Sequence, residues 1–420
     1  MPPYMEIAVA LEAVDREERR VQKVEVIGSL LKRTPPEILR PIVRLVSGEL
    51  WPSWESREMG IGPDTLGEAL RELSDQGGIL EATPRQLGDL AEMAVLNRSQ
   101  RTLTSLEMDA VWVYDALRQI SDQKGAGSLF RKKSILKGLL LNASPLEAKY
   151  IARTVLGRMT VGLGPSLISA AIGKAFSLDP PLVKRAYDRL PELGMIALHA
   201  FHGDVFEVKL APPNPARFMP LRRVRGLMEP VERAKPAAYI IRYGGLRVQI
   251  HKLNDQVFIY TSQLRNVTPS LDDLAEEIKR AKVNLVVEGE LILVRDGRVL
   301  PTSEMVGRIN LKGRSRGPED LFFAASDLLF FDRGEVIDER YAVRRQLLRR
   351  ALLGVAGRPF REKVFLAEER ALTDHDEALE MLRRSIDHGY GGLFIRHLDG
   401  AYTPGRASRE DAVASESPPH

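Results

Sequence analysis

The hydrophobic residues of this 420-residue chain change their spacing near residue 210, and this change constrains the fold more than any other feature. Before it, apolar residues recur every three or four positions between short Gly- and Pro-containing breaks, which is typical of amphipathic helices. After about residue 239, runs rich in Val, Ile and Leu are strand-like, and helix-length segments separate the later runs. A chain of this length is expected to contain two or three domains. The sequence therefore predicts a multidomain protein with an all-α domain followed by a mixed domain of the α/β or α+β class.

The two patterns also set the predicted boundaries. We assign residues 1–211 to the helical domain, the Pro- and Arg-containing residues 212–236 to a linker, and residues 237–406 to the second domain. From residue 407 onward the chain is polar and low in complexity, so we predict a disordered tail over 407–420. Within the second domain, strands are predicted at 238–242, 246–251, 257–261 and 285–294, and helices at 271–281 and 374–388.

Composition excludes several classes of protein. No run approaches the ~18 apolar residues of a membrane span, and the N-terminus lacks the basic and apolar regions of a signal peptide. The chain has no cysteine, which excludes a disulfide scaffold and a thiol nucleophile and fits a reducing cytoplasm. The seven histidines show no metal-ligand spacing, so we predict no metal site. A net charge of +4 is compatible with nucleic-acid binding but does not establish it.

A Gly-x-Gly-Pro frame occurs twice in the helical half, at Gly60-Ile61-Gly62-Pro63 and at Gly162-Leu163-Gly164-Pro165. Glycine allows a tight turn and proline suits the first helical turn, so each frame should leave free backbone amides at a helix N-terminus. Two such turns could hold two phosphates of a duplex without reading its bases. The alternative is that both are helix–helix turns in which glycine serves geometry alone. The sequence does not decide between these interpretations.

A basic run lies in the same half of the chain. Arg131, Lys132 and Lys133 are followed one turn later by Lys137. Such a run is usually a solvated helix face, but its position in the sequence near the second frame favours contact with a phosphate backbone. The predicted DNA-binding residues are Gly60, Gly62, Gly162, Gly164, Arg131, Lys132, Lys133 and Arg158.

Several motifs follow one another in a recognisable order. In the first half they are Ser47-Gly48-Glu49-Leu50-Trp51-Pro52, Gly60-Ile61-Gly62, Gly88-Asp89-Leu90-Ala91, Gly127-Ser128, Ser144-Pro145-Leu146-Glu147-Ala148 and Val161-Gly162-Leu163-Gly164. In the second half they are Arg247-Val248-Gln249-Ile250-His251-Lys252, Asn266-Val267-Thr268-Pro269, Val287-Glu288-Gly289-Glu290, Asp327-Leu328-Leu329 and Tyr402-Thr403-Pro404-Gly405-Arg406. In these motifs, from about residue 25 to 406, the chain resembles archaeal-type ATP-dependent DNA ligases. The resemblance implies a helical DNA-binding domain, a nucleotidyltransferase domain of the DNA-ligase and mRNA-capping type, and duplex or nicked DNA as the partner.

The resemblance also implies a reaction. In that family a lysine amine attacks the α-phosphate of ATP in the presence of Mg²⁺; the adenylate then passes to the 5′-phosphate at a nick, which the 3′-hydroxyl seals. The lysine belongs to a Lys-x-Asp-Gly-x-Arg motif, preceded by a glutamate that recognises adenine. In this chain Arg242, Gly244 and Ile240 stand at the lysine, aspartate and glutamate positions. A guanidinium has a pKa above ~12 and no free lone pair with which to attack phosphorus. We therefore predict that the chain has no catalytic nucleophile.

Other positions implied by the resemblance differ as well. Ser262 falls in the place of an arginine pair, Ser326 replaces the aromatic residue that stacks on adenine, Gly391 replaces a metal-binding glutamate, and Arg396 replaces a lysine. We expect the following Lys-x-Lys motif, and the oligonucleotide-binding-fold domain that the family carries beyond this point, to be absent. Accordingly we expect neither ATP nor Mg²⁺ as a cofactor.

The remaining pocket residues are Arg247, Glu288 and Glu290, with Arg406 further along the chain. In the family, two such glutamates lie by the ribose and the metal. With the other ligands changed, we favour the alternative that they pair with Arg242 or Arg247. Our specific hypothesis is that an Arg242–Glu290 ion pair fills the pocket and blocks ATP.

Three functions stay open at this point. The first is a degenerate family member that binds duplex or nicked DNA but cannot adenylate itself. The second is a working ATP-dependent ligase of DNA replication, repair and recombination, in which another lysine, such as Lys235 or Lys252, reaches the α-phosphate. The third is a decaying gene product with no retained role.

A sliding clamp is a weaker candidate partner. Gln100-Arg101-Thr102-Leu103 falls where archaeal ligases carry a clamp-binding motif. It lacks the aromatic pair that such motifs use, so clamp binding is only weakly indicated.

Overall fold

The computed structural model describes residues 2–74, 84–98, 107–157, 159–224, 236–310, 320–408 and 411–414. The chain divides into two compact units. The helical unit comprises Met1–Tyr187 and Pro191–Val208, and the α+β unit comprises Asp188–Leu190 and Lys209–His420. Each unit has the secondary structure that the spacing of apolar residues predicts.

The helical unit buries the apolar stripe of each helix against its neighbours. Its helices are α1 (Tyr4–Arg16), α2 (Arg20–Arg33), α3 (Pro36–Ser47), α4 (Pro63–Ser74), α5 (Pro84–Leu96), α6 (Ala110–Asp122), α7 (Ser128–Asn142), α8 (Pro145–Val155), α9 (Pro165–Ala175), α10 (Pro180–Arg189) and α11 (Leu193–His202). No helix in the described part of the chain is long and apolar enough to cross a membrane.

Local sequence explains where several helices begin. The Ser144 side chain accepts a hydrogen bond from the Glu147 amide, and the Glu147 carboxylate accepts one from the Ser144 amide, at 3.3 and 2.8 Å. This reciprocal cap satisfies two backbone donors at the start of α8. Helices α4 and α9 begin at Pro63 and Pro165, directly after the two Gly-x-Gly-Pro frames, as predicted.

The α+β unit is built on two sheets. Its strands are β1 (Arg222–Val224), β2 (Ala237–Arg242), β3 (Leu246–Leu253), β4 (Gln256–Thr261), β5 (Leu285–Arg295), β6 (Arg298–Val299), β7 (Asp320–Phe331), β8 (Gly334–Glu335), β9 (Val364–Leu366), β10 (Glu369–Leu372), β11 (Gly392–His397) and β12 (Ala412–Ala414). Its helices are α12 (Asp272–Lys279), α13 (Thr302–Asn310), α14 (Tyr341–Ala351) and α15 (His375–Asp387). The predicted strands and the two predicted helices are confirmed to within a few residues.

The two sheets enclose the core that positions the candidate site. One sheet has the order β1-β12-β11-β2-β10; the other has the order β4-β3-β5-β7-β8, with β6 paired to β5 and β9 to β7. Ile240 and Ile395 of the first sheet pack with Ile292 and Phe322 of the second. A separate apolar core joins the second sheet to α12 and α14. As a result, β2 and β11 of one sheet lie next to β3 and β5 of the other.

The structure corrects the predicted linker over 212–236. Ala216 and Met219 are buried in the α+β unit, and β1 pairs in parallel with β12. The Ala216 amide donates to the Gln249 side chain and the Met219 amide to the Tyr402 hydroxyl. Pro- and Arg-containing sequence can therefore form buried extended chain when its amides find side-chain acceptors. Residues 225–235 lie outside the described part of the chain.

The disorder predicted for 407–420 is also wrong for residues 411–414. Ala412–Ala414 forms β12, which pairs antiparallel with β11. Asp411 is buried and ion-paired with Arg396 at 2.9 Å. A three-residue strand carries too short a pattern to stand out in a polar stretch, and this one is stabilised by its neighbours. Residues 409–410 and 415–420 lie outside the described part of the chain.

We predict that Asp411→Ala destabilises the α+β unit by about 3 kcal/mol, because removing one partner of a buried ion pair leaves the other charge uncompensated. Asp338→Ala is the control, since this side chain is 77% exposed and its ion pair should be worth under about 1 kcal/mol. Hydrogen exchange followed on peptides of the α+β unit measures the difference. Equal protection in the two variants would contradict the prediction.

Candidate functional site

The turn between β2 and β3 brings two arginines toward β5. Gly244 has φ +82°, a conformation that residues with a Cβ atom rarely adopt. A Cβ atom on Gly245 would lie 2.2 Å from the carbonyl oxygen of Leu291, so only glycine fits this approach to β5. The turn places Arg242 at the end of β2 and Arg247 near the start of β3.

Glu288 is the centre of the charged cluster at this junction. Its side chain is 1% exposed. Arg247 donates to Oε1 through Nε at 2.8 Å and also through Nη2, and the Tyr402 hydroxyl donates to Oε2 at 2.5 Å. Arg396, which is itself paired with Asp411, lies 4.0 Å from Oε1. Of the predicted pairings of the glutamates with Arg242 or Arg247, the structure has the one between Arg247 and Glu288.

The space around this cluster is small. The cavity measures about 10 Å³ and is lined by Leu221, Ile240, Arg247, Glu288, Gly289, Glu290, Ser326, Phe394 and Arg396. A water molecule needs roughly 10–15 Å³, whereas ligand pockets typically measure roughly 300–1,000 Å³. In the described structure this cavity has room for about one water molecule.

Arg242 and Gly391 fit against each other. Arg242 Nη1 donates to the Gly391 carbonyl at 2.9 Å, and the Gly391 amide donates to the Arg242 carbonyl at 2.7 Å. A Cβ atom on Gly391 would lie 3.0 Å from Arg242 Nη1 and 3.0 Å from the Gly244 Cα. A side chain at position 391 would therefore compete with the Arg242 guanidinium for the same space.

The hypothesis of an Arg242–Glu290 ion pair is wrong. Glu290 Oε2 instead accepts from the backbone amide of Tyr243 at 2.8 Å, and Arg242 is directed to the Gly391 carbonyl. Burial raises the pKa of Glu290 to about 7, although Arg242 and the Tyr243 amide act in the opposite direction. The Tyr243 amide compensates part of the negative charge of Glu290, which our hypothesis expected Arg242 to compensate.

The other predicted site residues divide into two groups. Ile240 and Ser326 line the small cavity, and the Ser326 hydroxyl donates to the Glu288 carbonyl at 3.2 Å. Ser262 and Arg406 are exposed. Tyr402, a residue that sequence reasoning did not select, reaches Glu288 instead. It belongs to the motif that ends at Arg406, but its contact depends on packing that no local pattern reveals.

The chemistry of this junction is that of a closed ionic cluster. Tyr402 has a raised pKa because of its burial and the nearby Glu288 carboxylate. Burial alone would lower the pKa of Arg396, but Asp411, Asp327 and Glu288 raise it, so it stays charged. Within the described residues, no group of three or more His, Asp or Glu side chains could hold a metal ion.

The two glycine turns of the helical unit have the same construction. Gly60 and Gly162 have φ +63° and +71°. A lysine from another helix donates to the carbonyl just before each glycine: Lys132 to Met59 at 2.8 Å, and Lys23 to Val161 at 2.9 Å. The second glycines, Gly62 and Gly164, accept the first backbone hydrogen bonds of α4 and α9.

The turns belong to an internal repeat in which α2, α3 and α4 correspond to α7, α8 and α9. Lys23 precedes Gly48 by as many residues as Lys132 precedes Gly157, and both glycines have positive φ. The lysine of each repeat supports the turn of the other repeat. Lys23 is not among the predicted DNA-binding residues. The equal spacing in the two repeats is the sequence signal that could have identified it as the counterpart of Lys132.

The basic run lies beside the first glycine turn, whereas its place in the sequence suggested the second. Lys132 is directed to Met59, and Lys133 forms ion pairs with Glu68 and Glu72 of α4. The Arg131 guanidinium donates to the Gln123 side chain and to the carbonyls of Lys124 and Ala126. The crosswise packing of the repeats explains the difference.

Three of the predicted sites cannot be placed in this structure. Arg158, Lys235 and residues 100–103 lie outside the part of the chain that the structure describes.

Known proteins match both units. The family models "DNA ligase N terminus" and "ATP dependent DNA ligase domain" match residues 3–202 and 221–411. The DNA ligase of Thermococcus fumicolans is 30% identical over 431 residues, covering 97% of this chain and 74% of that protein. The DNA ligase of Archaeoglobus fulgidus is 31% identical with the same coverage. The chain belongs to the ATP-dependent DNA ligase family.

Solved structures support the fold of this DNA ligase family member. The chain called "Pmar-Lig_Pre." matches with a TM-score of 0.56 and 11% identity, covering 97% of this chain and 77% of that one. "Pmar-Lig_PreS3" matches with a TM-score of 0.55, covering 97% and 78%. The predicted combination of a helical domain with an α+β nucleotidyltransferase domain is therefore confirmed.

We predict that Glu290→Gln changes how the stability of the α+β unit depends on pH. The pKa of Glu290 in the folded protein, about 7, lies above its ordinary value of 4.5. The protonated Glu290 side chain therefore contributes fully to the stability of the fold below pH 4.5, and this contribution is lost as the pH rises through about 7. Glutamine keeps the acceptor for the Tyr243 amide and does not titrate. Relative to the variant, the wild type should lose about 2 kcal/mol between pH 5 and pH 8.

Urea unfolding at both pH values tests this difference. Glu276→Gln is the control, because this side chain is 68% exposed. The prediction is contradicted if Glu290→Gln and Glu276→Gln show the same pH dependence.

Proposed function

We propose that this chain is a DNA-binding member of the DNA ligase family that does not form a lysyl-adenylate. It would hold duplex or nicked DNA through the helical unit. Nicked duplex arises in DNA replication, repair and recombination, so these are the processes in which we expect it to act, in the cytoplasm. The observation that carries the proposal is Arg242, whose guanidinium stands at the family's lysine position and donates to Gly391.

The chemistry of the first step supports the proposal. Attack on the α-phosphate requires an uncharged amine, and a lysine can reach that state through burial or cationic neighbours. Arginine offers no such route because its guanidinium remains protonated. The hydrogen bond to the Gly391 carbonyl further engages Arg242 within the protein.

The small cavity beside Glu288 supports the part of the proposal that concerns ATP. Glu288 already has Arg247 and Tyr402 as partners, and the cavity beside it has a volume of about 10 Å³. ATP would have to open this cluster and leave buried charges to be compensated anew. We therefore propose that the chain uses neither ATP nor Mg²⁺.

Lys252 is poorly placed to act as an alternative nucleophile. Side chains alternate between the two faces of a strand, so Lys252 lies on the face of β3 opposite to Arg247. It is also five residues further along, about 16 Å in an extended strand. These two facts argue against the alternative of a working ligase that uses this lysine.

DNA binding rests on the repeated turns. Each turn combines a positive-φ glycine with a following helix N-terminus, which favours anions because its amides point outward. Beside the second turn, an open cavity of about 440 Å³ is lined by Arg20 and Lys23, by Gly162 and Gly164, and by one acidic residue, Glu18. A phosphate group is smaller than this cavity, and its charge is opposite to the net charge of these three side chains.

We predict that nicked-duplex affinity falls by at least about tenfold between ~50 and ~200 mM salt, because phosphate contacts release counterions. Arg20→Gln should weaken binding and reduce the slope of log affinity against log salt by about one. Arg333→Gln, at a side chain that is 95% exposed in the α+β unit, should leave both unchanged. Fluorescence anisotropy of a labelled nicked duplex provides the measurement, and salt-independent affinity would sink the DNA-binding proposal.

We also predict that Arg242→Lys alone does not produce nick sealing. The new amine would still lie against Gly391 and beside the closed Glu288 cluster, and the residues at positions 244, 326 and 391 would still differ from those of the family. A denaturing gel of a nicked, end-labelled duplex tests this outcome, with an archaeal DNA ligase as the positive control and a thermal unfolding curve to establish that the variant folds. Detectable sealing by the single variant would show that the neighbouring positions matter less than proposed.

A further inference from the structure

The outer edge of strand β4 is only partly covered. β4 is the outermost strand at one end of its sheet, and the chain segment 265–268 returns along part of its free edge. The Thr261 amide donates to the Arg265 carbonyl at 3.0 Å, and the Val267 amide donates to the Ile259 carbonyl at 2.8 Å. The Ile259 amide donates to the Thr268 hydroxyl at 2.8 Å. The backbone groups that Ile259 and Thr261 direct to this edge are therefore largely paired.

Val257 lies where this cover ends. Successive residues of a strand direct their backbone groups to opposite edges, so the amide and carbonyl of Val257 face the same way as those of Ile259. In the described part of the chain, these two groups have no hydrogen-bond partner. The edge at Val257 therefore offers one donor and one acceptor to an added strand.

A groove of about 520 Å³ runs beside this edge and helix α12. The helix lines it with residues at positions i, i+3, i+4 and i+7, which share one face: Asp272, Ala275, Glu276 and Lys279. Val257 and Ala275 are only 7% and 6% exposed and belong to the apolar core beneath. The groove therefore combines an apolar base, an open backbone edge and charged side chains.

The charged side chains around the groove are mostly acidic. Asp255, Asp272 and Glu276 supply three carboxylates, and Lys279, which pairs with Glu276, supplies an ammonium group. Asp255 is exposed and has no ion-pair partner among the described residues. This surface would repel DNA phosphates, and a second copy of the chain would bring two acidic rims together. A segment that carries lysine or arginine has the complementary charge.

We propose that this groove, which we call the β4 groove, binds a basic segment of another protein in extended conformation. The segment pairs with Val257 as a short added strand, so backbone hydrogen bonds hold it and alternate side chains read the groove. Its lysine or arginine side chains lie beside Asp255 and Glu276, and the side chains between them contact the apolar base. The open edge is short, so the complex is weak and transient. The proposal does not depend on DNA binding or on adenylation, because the β4 groove contains no residue of the helical unit or of the Glu288 cluster.

The probe is a fluorescein-labelled peptide of alternating lysine and valine, titrated with the full chain at low salt and followed by anisotropy. We expect saturable binding with a Kd below about 1 mM. The double variant Asp255→Asn, Glu276→Gln should bind the peptide about threefold more weakly or worse, because exposed ion pairs contribute modestly. Asp376→Asn is the matched control, since this side chain is 97% exposed in the same unit, and it should leave the affinity unchanged. These changes keep the size of exposed side chains, and a thermal unfolding curve establishes that each variant folds.

Two altered peptides separate charge from backbone pairing. A peptide of alternating glutamate and valine should not bind, because its charge has the same sign as the groove. The lysine–valine peptide with N-methylated backbone amides keeps its charge but cannot donate to the Val257 carbonyl, so it should bind about fivefold more weakly. Hydrogen exchange of the Val257 amide should slow when the unmodified peptide is bound and stay unchanged with the methylated one.

Several results would overturn the proposal. The absence of saturable binding up to about 1 mM of the lysine–valine peptide would remove the site. Equal affinity of the wild type and the double variant would place the peptide elsewhere on the chain. Equal affinity of the two lysine peptides would reduce the contact to charge alone. A wild-type dimer that the peptide dissociates in sedimentation would assign the edge of β4 to a second copy of the chain instead.

Discussion

A buried carboxylate needs compensating charge, and in the α+β unit this requirement centres on Glu288. Arg247 from β3 and Tyr402 from the segment before β12 bond to it directly, and Arg396 from β11 connects it to Asp411. Removing any one partner would leave a charge in surroundings where hydration cannot replace it. The cluster therefore ties strands of both sheets together with protein groups alone. The fold is that of the DNA ligase family, and the cavity beside this cluster measures about 10 Å³.

Arg242 and Gly391 form one structural feature built from two distant positions. The guanidinium uses the space that a side chain at residue 391 would fill, and each residue bonds to the backbone of the other. A lysine at position 242 alone would leave Gly391, and with it most of this arrangement, in place. The helical unit has buried ion pairs of its own, such as Arg44 with Glu192 at 3.1 Å. Its repeated turns, each supported by a lysine from the other repeat, depend only on contacts within that unit.

Sequence reasoning succeeded where local pattern controls structure. The Ser144 cap, the helices that begin at Pro63 and Pro165, and the strands around Arg247 and Glu288 all follow from spacing and residue type. It failed where contacts depend on distant packing. The Glu290–Tyr243 bond, the role of Tyr402 and the short strand after Asp411 arise from chain segments far apart in sequence. The basic run was assigned to the wrong turn for the same reason, because the repeats pack crosswise.

Intact-mass spectrometry after incubation with ATP and Mg²⁺ tests the central claim most directly. A lysyl-adenylate would add the mass of one AMP to the chain, and the added mass is the same whichever lysine carries the phosphoramidate. The account predicts an unchanged mass under conditions in which an archaeal DNA ligase becomes fully adenylated. A stable AMP adduct on this chain would contradict it, and peptide mapping would then identify the lysine that the closed Glu288 cluster was thought to exclude.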